Sequence, residues 1–448
     1  MNLVDALRFN SESRVAFTGA GGKTSAIFAI ARQWGKPVIV STTTHLAAHQ
    51  AGLADQHIVV TGYSGDNLEP YFDNLPDGIT LITGPSNEDD RLMGLSNGAL
   101  KAIESLATKQ HVPLLIEADG AKQRLLKAPA EHEPAFPDIA IDGVVVASLG
   151  AIGKPLDEET VHRPEQFAAL ANISIGETLT HEAFVKVLAN KQGGLKNFRT
   201  RTRAIALLNQ VDNDEKKALA QAIAKQLVPP FHAVVAADIP HYSERRPSQV
   251  HSIYEPIAAI LLAAGESKRL GEPKQLLDWH GQPFIRHIAK TALEAGLSPV
   301  VVVLGAHEDQ IRPALQDLAV DIVYNTDWAA GQSSSVRMGL SALPESTGAA
   351  IFLLVDQPHV PITLLHKLVA THRTTLAPII APEVDGQRGN PVLFDRSTFA
   401  DLGGISGDVG GRAIFSRHQV TWIPWLDASL ALDVDTWEDY DKLLNNSE

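Results

Sequence analysis

One apolar run, followed at once by a glycine-bearing basic loop, constrains the fold of this chain more than any other feature. The run, Ile257 to Ala263, has the length and composition of a strand that is buried on both faces of a parallel sheet. The next residues, 264–271, read AGESKRLG. A glycine-bearing loop at the C-terminal end of a buried strand is where an open α/β sheet binds ligands. We therefore predict an α/β fold with a ligand site at this loop.

The side chains of this loop suit a polyphosphate. Gly265 and Gly271 allow backbone N–H groups to approach phosphate oxygens. The guanidinium group of Arg269 can make two parallel hydrogen bonds to a phosphate group, and the ammonium group of Lys274 is a compact positive charge. Together these groups predict a site for a nucleoside triphosphate whose α-phosphate is attacked while pyrophosphate leaves. The alternative is an ordinary strand-to-helix loop with a solvated basic face.

Residues 257–445 resemble the MobA-like nucleotidyltransferases, and among these the molybdenum cofactor cytidylyltransferases (MocA). The pattern LAAG-x-S-x-R-x-G-x-x-K-x-LL begins at Leu262. It is followed, in the family's order, by GQSSSVR at 331–337, LVDQP at 354–358, GNP at 389–391, GDVGGR at 407–412 and DVDTWED at 433–439. The resemblance implies a Rossmann-like domain with a mostly parallel, doubly wound sheet. It also implies transfer of CMP from CTP to the phosphate of molybdenum-bound molybdopterin, with Mg²⁺ as cofactor.

The resemblance also assigns roles to residues. It implies Lys274 and Arg269 as catalytic cations on the phosphates. It implies that the first loop and the GQSSSVR stretch contact the nucleotide, through Ala263, Ala264, Gly265, Ser267, Ser334 and Arg337. The cytidine-using branch resembles this chain at Ala264, where the guanosine-using branch typically has glycine. A bulkier base needs more room, so we expect CTP as substrate.

Two carboxylates are candidate Mg²⁺ ligands. Asp356 follows the apolar run Ala350 to Val355, and a carboxylate at a strand end can hold a metal that bridges phosphate oxygens. We expect Asp356 to be catalytic in this way and Asp435 to be the second ligand. Asp433 is a close alternative, because alternation along an extended segment points both aspartates to one side. Alternatively, these two aspartates only cap the helix that follows.

Composition narrows the class of protein. The chain has 448 residues, which favours two or three domains, and its 44% apolar and 20% charged residues are typical of a soluble globular protein. It has no cysteine, which excludes disulfides and cysteine metal ligands and fits a cytoplasmic location. The net charge of −14 makes nucleic acid an unexpected partner. No apolar run approaches membrane-spanning length, and we expect no membrane partner.

A second glycine loop lies near the N-terminus. A short predicted strand, Arg14 to Thr18, leads into GAGGKTS at 19–25 and then into an apolar helical pattern, Ala26 to Trp34. This order is typical of a phosphate-binding loop, with expected contacts at Gly19, Gly21, Gly22, Lys23 and Thr24. The loop has the shorter G-x-x-G-K-T form found in Mur-ligase-like sites, because Phe17 stands where the full Walker pattern has glycine. A plain tight turn is the alternative.

Polar residues also follow other predicted strands of the N-terminal half. Glu117 and Asp119 follow the strand Val112 to Ile116, where carboxylates can hold Mg²⁺ or orient water. Asn209 and Asp212 resemble the loop by which GTPases read guanine; an Asx turn is the alternative, which we favour for Asp212 and leave open for Asn209. The stretches GAGGKTS, STTTH, IEADGAK, LKAPAEHEP and GKPLDEETVHRPE resemble the YqeC family of accessory proteins for selenium-dependent molybdenum hydroxylases. His132 and His162 lie in these stretches, and we expect both to be structural.

The predicted architecture is two three-layer α/β domains. A P-loop-like, YqeC-type accessory domain spans 1–245, a proline-containing linker covers 240–256, and the MobA-like NTP transferase domain spans 256–448. The resemblance implies a molybdenum hydroxylase apo-enzyme as partner. Two other functions stay open: a nucleotidyltransferase with another phosphate acceptor, and a molybdenum cofactor carrier or chaperone without turnover.

Overall fold

Alternating strands and helices build two units in the computed structural model, which describes residues 1–61, 68, 70 and 75–445. The units are Met1–Tyr254 and Glu255–Glu448. In the described part of the chain, no helix is long and apolar enough to cross a membrane.

The N-terminal unit is organised around one large sheet. Its strands are Arg14–Gly19 (β1), Val38–Thr42 (β2), Leu46–Ala47 (β3), Gln56–Val59 (β4), Ile79–Thr83 (β5), Arg91–Leu92 (β6), Leu114–Glu117 (β7), Leu126–Lys127 (β8), Asp142–Ser148 (β9), Val161–His162 (β10), Arg203–Asn209 (β11), Ala233–Asp238 (β12) and Gln249–Tyr254 (β13). Its helices are Leu3–Leu7 (α1), Lys23–Trp34 (α2), Asn97–Lys109 (α3), Pro164–Ala171 (α4), His181–Leu188 (α5) and Asp214–Leu227 (α6).

The strand order of this sheet places β1 near its centre. Among the described residues the order is β13-β12-β11-β9-β1-β7-β2-β5-β4, and all pairs are parallel except β12 with β13. Because β7 pairs with β1 in parallel register, Phe17 lies opposite Glu117. The loop after β1 and the carboxylates after β7 therefore share one edge of the sheet.

The segment predicted as a linker is not one. Residues 249–254 form β13, which pairs antiparallel with β12 and buries Ile253 and Tyr254. The three prolines of 240–256 lie outside this strand, so each residue of β13 keeps its backbone N–H group for pairing at the sheet edge. The sequence-based expectation of a linker over the whole of 240–256 was therefore wrong.

The C-terminal unit is a second α/β sheet covered on both faces. Its strands are Ile257–Ala263 (β14), Asp278–Trp279 (β15), Gln282–Pro283 (β16), Val300–Leu304 (β17), Asp321–Tyr324 (β18), Ala349–Leu354 (β19), Ile379–Val384 (β20), Gln387–Arg388 (β21), Val392–Asp395 (β22) and Val420–Pro424 (β23). Its helices are Phe284–Glu294 (α7), Glu308–Ile311 (α8), Gln332–Ser341 (α9), Ile362–Thr375 (α10), Phe399–Gly403 (α11) and Trp437–Asn445 (α12).

Strand β14 is central in this sheet, as its uninterrupted apolar sequence predicts. The order is β18-β17-β14-β19-β22-β20-β21, with β23 beside β20. The pairs from β18 to β19 are parallel, whereas β22 runs antiparallel to both β19 and β20. Alternate residues of β14 pack into two different cores: Leu261 lies in the one with α7 and α10, and Ile260 in the one with α9. The predicted doubly wound α/β fold is confirmed.

Candidate functional sites

Four charged side chains meet beyond the C-terminal ends of β14 and β19. Lys274 lies in the short 3-10 helix that follows the glycine loop, and its Nζ donates to Asp356 Oδ2 at 2.7 Å and to Asp435 Oδ1 at 3.1 Å. Arg269 Nη1 donates to Asp435 Oδ2 at 2.8 Å. The structure thus brings together the four charged residues that sequence analysis selected for this site.

A buried glutamine that the sequence analysis missed holds the loop in place. Gln275 is fully buried, and its Nε2 donates to the backbone oxygens of Ala263 and Gly265, each at 2.9 Å. Ser267 adopts a left-handed conformation (φ 58°), and its Oγ accepts from the backbone N–H of Lys274 at 3.1 Å. These bonds fix the curvature of the loop. The signal for Gln275 was its position beside Lys274, but one glutamine in a polar loop predicts nothing by itself.

The electrostatics of the carboxylates suit a cation. Burial alone would lower the pKa of Lys274, but the charges of Asp356 and Asp435 outweigh burial and raise it. Burial raises the pKa of Asp433, and the charge of Asp356 raises it further. The Oδ1 atom of Asp356 is buried without a hydrogen-bond partner among the described residues. Asp433 Oδ1 accepts from Gln357 Nε2 at 2.7 Å, so its lone pairs are partly used.

This donor set fits Mg²⁺. Mg²⁺ is commonly bound through one or two carboxylates, with substrate phosphates and water completing the shell. Asp356 and Asp435 supply two carboxylates that converge on one cationic group, and Asp356 keeps one oxygen free. Within the described residues no group of three or more His, Asp or Glu side chains could hold a metal ion.

An open cavity of about 870 Å³ lies over the loop. Its lining includes Ala264, Gly265, Ser267, Arg269, Lys274, Gln332, Ser335, Asp356 and Asp435. A Cβ atom on Gly265 would meet nothing within 4 Å, so this glycine faces open space.

Three residues expected to contact the nucleotide lie outside this lining. Ala263 is fully buried in β14. Ser334 is also buried; its Oγ donates to Gly331 O and accepts from Asn325 Nδ2, each at 2.8 Å. Arg337 Nη1 donates to Ile405 O at 2.6 Å. From α9, Gln332 and Ser335 line the cavity instead, and Ser335 Oγ also accepts from Asn325 Nδ2, at 3.0 Å.

Two arginines received no role from the sequence: Arg412, which ends the GDVGGR motif, and Arg388, which directly precedes the GNP motif. The guanidinium carbon of Arg388 lies 5.2 Å from the ring centroid of Phe415. Arg412 and Phe415 are three residues apart in the 3-10 helix Gly411–Arg417, and side chains at that spacing eclipse each other. Burial lowers the pKa of Arg388, and the charge of Arg412 lowers it further. Neither arginine forms an ion pair with a described residue.

The N-terminal loop has the conformation of an anion-binding loop. Gly21 (φ 80°) and Gly22 (φ 123°) are left-handed, and a Cβ on Gly21 would lie 2.6 Å from Leu125 O. Lys23 opens α2 and is buried; its Nζ donates to Gly19 O at 2.8 Å. Thr24 Oγ1 donates to Glu117 Oε2 at 2.9 Å. Glycine is therefore required here, and the loop, the lysine and the carboxylate lie together as expected.

A chain of alternating charges runs from this loop into the N-terminal unit. Lys23 Nζ lies 3.2 Å from Asp119 Oδ1, and Asp119 Oδ2 lies 2.9 Å from Lys127 Nζ. Glu133 continues the chain, accepting from Lys127 at 2.8 Å and from Arg163 at 2.7 and 3.0 Å. Burial opposes ionisation of Glu133, but hydrogen bonds from Arg163 and Lys127 lower its pKa to about 2.

An open cavity of about 1290 Å³ lies against this loop. Gly21, Gly22, Lys23 and Thr24 line it, whereas Gly19 and Asp119 lie behind the loop. His132 and His162, both expected to be structural, also line the cavity. Burial, with the charges of Arg163 and Lys127, lowers the pKa of His162 to about 4, so this histidine is neutral near pH 7.

Asn209 supports the glycine loop. Its Nδ2 donates to Gly21 O at 2.8 Å, and its Oδ1 accepts from the backbone N–H groups of Gln210 and Ile239. Asp212 pairs with Lys216 on the surface. This geometry favours the Asx-turn interpretation over recognition of a guanine edge.

Comparisons with known proteins assign the two units separately. Residues 259–421 match the family model for the MobA-like NTP transferase domain, and residues 15–165 match the model for YqeC protein. Nicotine blue oxidoreductase from Paenarthrobacter nicotinovorans is 34% identical over 205 residues, covering 42% of this chain and 96% of that protein. The uncharacterized protein YqeC from Escherichia coli (strain K12) is 29% identical over 213 residues, covering 46% and 79%. The crystal structure of Rv0371c from Mycobacterium tuberculosis H37Rv is 29% identical, covers 42% of this chain and 98% of its own, and gives a TM-score of 0.39.

Proposed function

Since this chain belongs to the MobA-like NTP transferase family and is a fusion with a YqeC-like domain, we propose that it is a molybdenum cofactor cytidylyltransferase with a nucleotide-binding accessory domain. The coarser function, a nucleotidyltransferase, follows from the family. The finer proposal names CTP as donor and the phosphate of molybdenum-bound molybdopterin as acceptor. It includes a cytoplasmic location and a molybdenum hydroxylase apo-enzyme as recipient.

The observation that carries the proposal is the convergence of Lys274, Asp356 and Asp435 beside a glycine loop that faces an open cavity. In the proposed reaction an oxygen of the acceptor phosphate attacks the α-phosphorus of CTP. The bond from this phosphorus to the bridging oxygen breaks, and pyrophosphate leaves with the electron pair. Both reactants are anionic, so positioning and charge neutralisation are what the protein must supply.

Each charged residue has one task in this scheme. Lys274 neutralises charge on the α-phosphate. The guanidinium group of Arg269 holds the departing phosphates through bidentate hydrogen bonds. Asp356 and Asp435 would hold Mg²⁺, which supplies further neutralisation of phosphate charge. Lys274 donates to both carboxylates, so these oxygens are oriented before substrate arrives.

The donor base is proposed from the space around Ala264. A Cβ atom on Gly305 would lie 2.8 Å from the Ala264 methyl group and 2.7 Å from Trp328 Cβ, so this corner of the cavity has little spare volume. A small corner favours a pyrimidine over a purine. Gly265, Ser267 and Gln332 line the same cavity and supply backbone and side-chain polar groups.

The acceptor is proposed to use Arg388 and Arg412. Both arginines lack a described ion-pair partner, and Arg388 is fixed over Phe415. Asp433 is among the charges that act on Arg388, and this supports an acceptor site on the side of the carboxylates beside Lys274. Two adjacent guanidinium groups without a partner suit an anionic group such as the acceptor phosphate.

The test is pyrophosphate release with molybdenum-bound molybdopterin and Mg²⁺, comparing CTP with GTP, ATP and UTP. We expect release with CTP alone. Release with GTP would keep the reaction and overturn the proposed base. Release only with a different phosphate acceptor would replace the substrate, and tight cofactor binding without release would favour a carrier.

A further inference from the structure

The wall of the N-terminal cavity next to the phosphate loop is a second, strained loop, residues 120–125. It is tied to the phosphate loop by a hydrogen bond from Gly21 N to Arg124 O, at 2.9 Å. Its other end is anchored by Lys127 Nζ, which donates to Gly120 O at 2.7 Å. Lys122 (φ 47°) and Gln123 (φ 61°) are consecutive left-handed residues, which is costly for side chains other than glycine. Such strain is typical of segments that position functional groups.

This second loop presents unneutralised positive charge to the cavity. Lys122 and Arg124 both line it, and neither forms an ion pair with any described residue. Lys23, by contrast, is already neutralised by Asp119 and Glu117. A phosphate loop with its own lysine needs no further cations to bind one phosphate group. We therefore expect the two additional cations, Lys122 and Arg124, to bind further phosphate groups at the outer end of a polyphosphate.

The opposite side of the phosphate loop carries oxygen ligands. Thr24 Oγ1 and Glu117 Oε2 lie 2.9 Å apart, and both residues line the cavity. A hydroxyl that opens the helix and a carboxylate on the neighbouring parallel strand are hard oxygen donors of the kind Mg²⁺ takes in triphosphate sites. Thr24 and Glu117 are thus the residues that would hold Mg²⁺. The cavity is open, so water reaches this point.

We propose that the N-terminal unit is a second enzyme, which hydrolyses the terminal phosphate of a nucleoside triphosphate. The oxygen of water bonds to the γ-phosphorus, the bond from that phosphorus to the β,γ-bridging oxygen breaks, and the nucleoside diphosphate leaves with the electron pair. The proton released from water passes to solvent. Lys23 holds the triphosphate, while Lys122 and Arg124 neutralise charge that develops as the terminal group departs. The inference rests on the proposed phosphate-binding role of residues 19–24 and adds bond cleavage to it.

The two units would release different products, which makes the test possible in the full chain. ATP, GTP, CTP and UTP are supplied singly with Mg²⁺, and inorganic phosphate and pyrophosphate are measured separately. Nucleotide binding is measured in parallel with a fluorescent triphosphate analogue. We expect phosphate release with at least one nucleotide in the absence of any pterin. Asp356→Asn separates the activities: pyrophosphate release with pterin falls, and phosphate release persists.

Variants assign the activity to the cavity. Lys122→Ala combined with Arg124→Ala should lower the phosphate-release rate by roughly a hundredfold, with a smaller loss of nucleotide affinity. The matched control, Lys216→Ala with Lys217→Ala, removes the same charge from an exposed helix face, where both lysines form surface pairs, and should change neither. Lys23→Ala should lose both binding and release. Because Lys23 is buried among carboxylates, Thr24→Val serves as a second variant, and circular dichroism checks the fold of each.

Every outcome bears on the inference. Phosphate release that needs Lys23 and the Lys122–Arg124 pair supports it. Nucleotide binding that needs Lys23, without phosphate release, overturns the inference and leaves the binding role intact. Absence of binding overturns both. Phosphate release that survives Lys23→Ala and Thr24→Val would place hydrolysis elsewhere and also overturn it.

Discussion

Lys274 donates to Asp356 at 2.7 Å and to Asp435 at 3.1 Å, although the three residues come from distant parts of the chain. Lys274 follows the glycine loop, Asp356 lies two residues beyond the end of β19, and Asp435 precedes α12. A backbone hydrogen bond also joins two of these segments, since Val434 N donates to Asp356 O at 3.1 Å. A small shift of any one element would separate the lysine from a carboxylate, so the charged centre depends on the whole sheet.

Asp356→Asn should abolish pyrophosphate release while the protein stays folded. The amide keeps the shape of the carboxylate but removes its charge, so Lys274 loses a partner and Mg²⁺ loses a ligand. We expect a loss of roughly a hundredfold or more, as for removal of one preorganised electrostatic group. Coupled pyrophosphate assays measure it. Asp441→Asn, an exposed carboxylate of the same unit, is the control, and near-normal activity of Asp356→Asn would contradict the metal role.

Ala264→Gly should shift the enzyme toward GTP. Removing the methyl group enlarges the corner beside Gly305 and Trp328, and a change of one methyl group is worth roughly tenfold or more in discrimination. The measured quantity is kcat/KM with CTP relative to GTP. An unchanged ratio would show that the base does not occupy this corner.

Arg388→Ala and Arg412→Ala should each raise KM for the pterin acceptor and leave KM for CTP nearly unchanged. Each removes a charge-assisted contact, and loss of one such contact is worth about 2 kcal/mol. Arg417→Ala is the matched control, because Arg417 lies in the same 3-10 helix but faces Asp401 at 3.7 Å. If the two substitutions raised KM for CTP instead, the arginines would belong to the donor site.

Glu133→Gln should destabilise the N-terminal unit in a pH-dependent way. Arg163 and Lys127 lower the pKa of Glu133 from 4.5 to about 2, which corresponds to about 3 kcal/mol of stability. Because the folded-state pKa is depressed, this contribution is fully present above the unfolded pKa and is lost as pH falls through the folded value. The difference in unfolding free energy between the two proteins should thus be largest near pH 7 and shrink between about pH 4.5 and 2. Chemical denaturation at several pH values measures it, and a difference independent of pH would contradict the assignment.

The charged centre of the C-terminal unit could be predicted from sequence because each of its residues follows an apolar strand or lies in a motif. Asp356 stands at the end of a run that only a buried strand explains, and Lys274 has a fixed spacing from Gly265. Parallel strands deliver such residues to one edge of the sheet. Strand β14 was predicted with its observed bounds for the same reason.

Other features depend on information that local sequence does not carry. Ser334 and Ser335 have the same chemistry and both accept from Asn325 Nδ2, yet only Ser335 lines the cavity, and nothing in the local sequence distinguishes the two. The chain from Lys23 to Arg163 joins residues from five separate segments of the N-terminal unit, and none of these pairings has a spacing that predicts it. The role of Gln275 could not be predicted from sequence, because its hydrogen-bond partners are backbone oxygens, and every residue has one.

Strand β13 has a practical consequence for anyone who studies the N-terminal half alone. A chain cut at residue 245 would lack this strand, and the hydrogen-bonding groups of β12 would become an open sheet edge. Unprotected edges of apolar strands are templates for aggregation, and β12 reads AVVAAD with all of its residues buried. A fragment that ends after Tyr254 retains the antiparallel cover and the buried Ile253. We therefore expect a fragment that includes residues 246–254 to be soluble and a fragment that lacks these nine residues to aggregate.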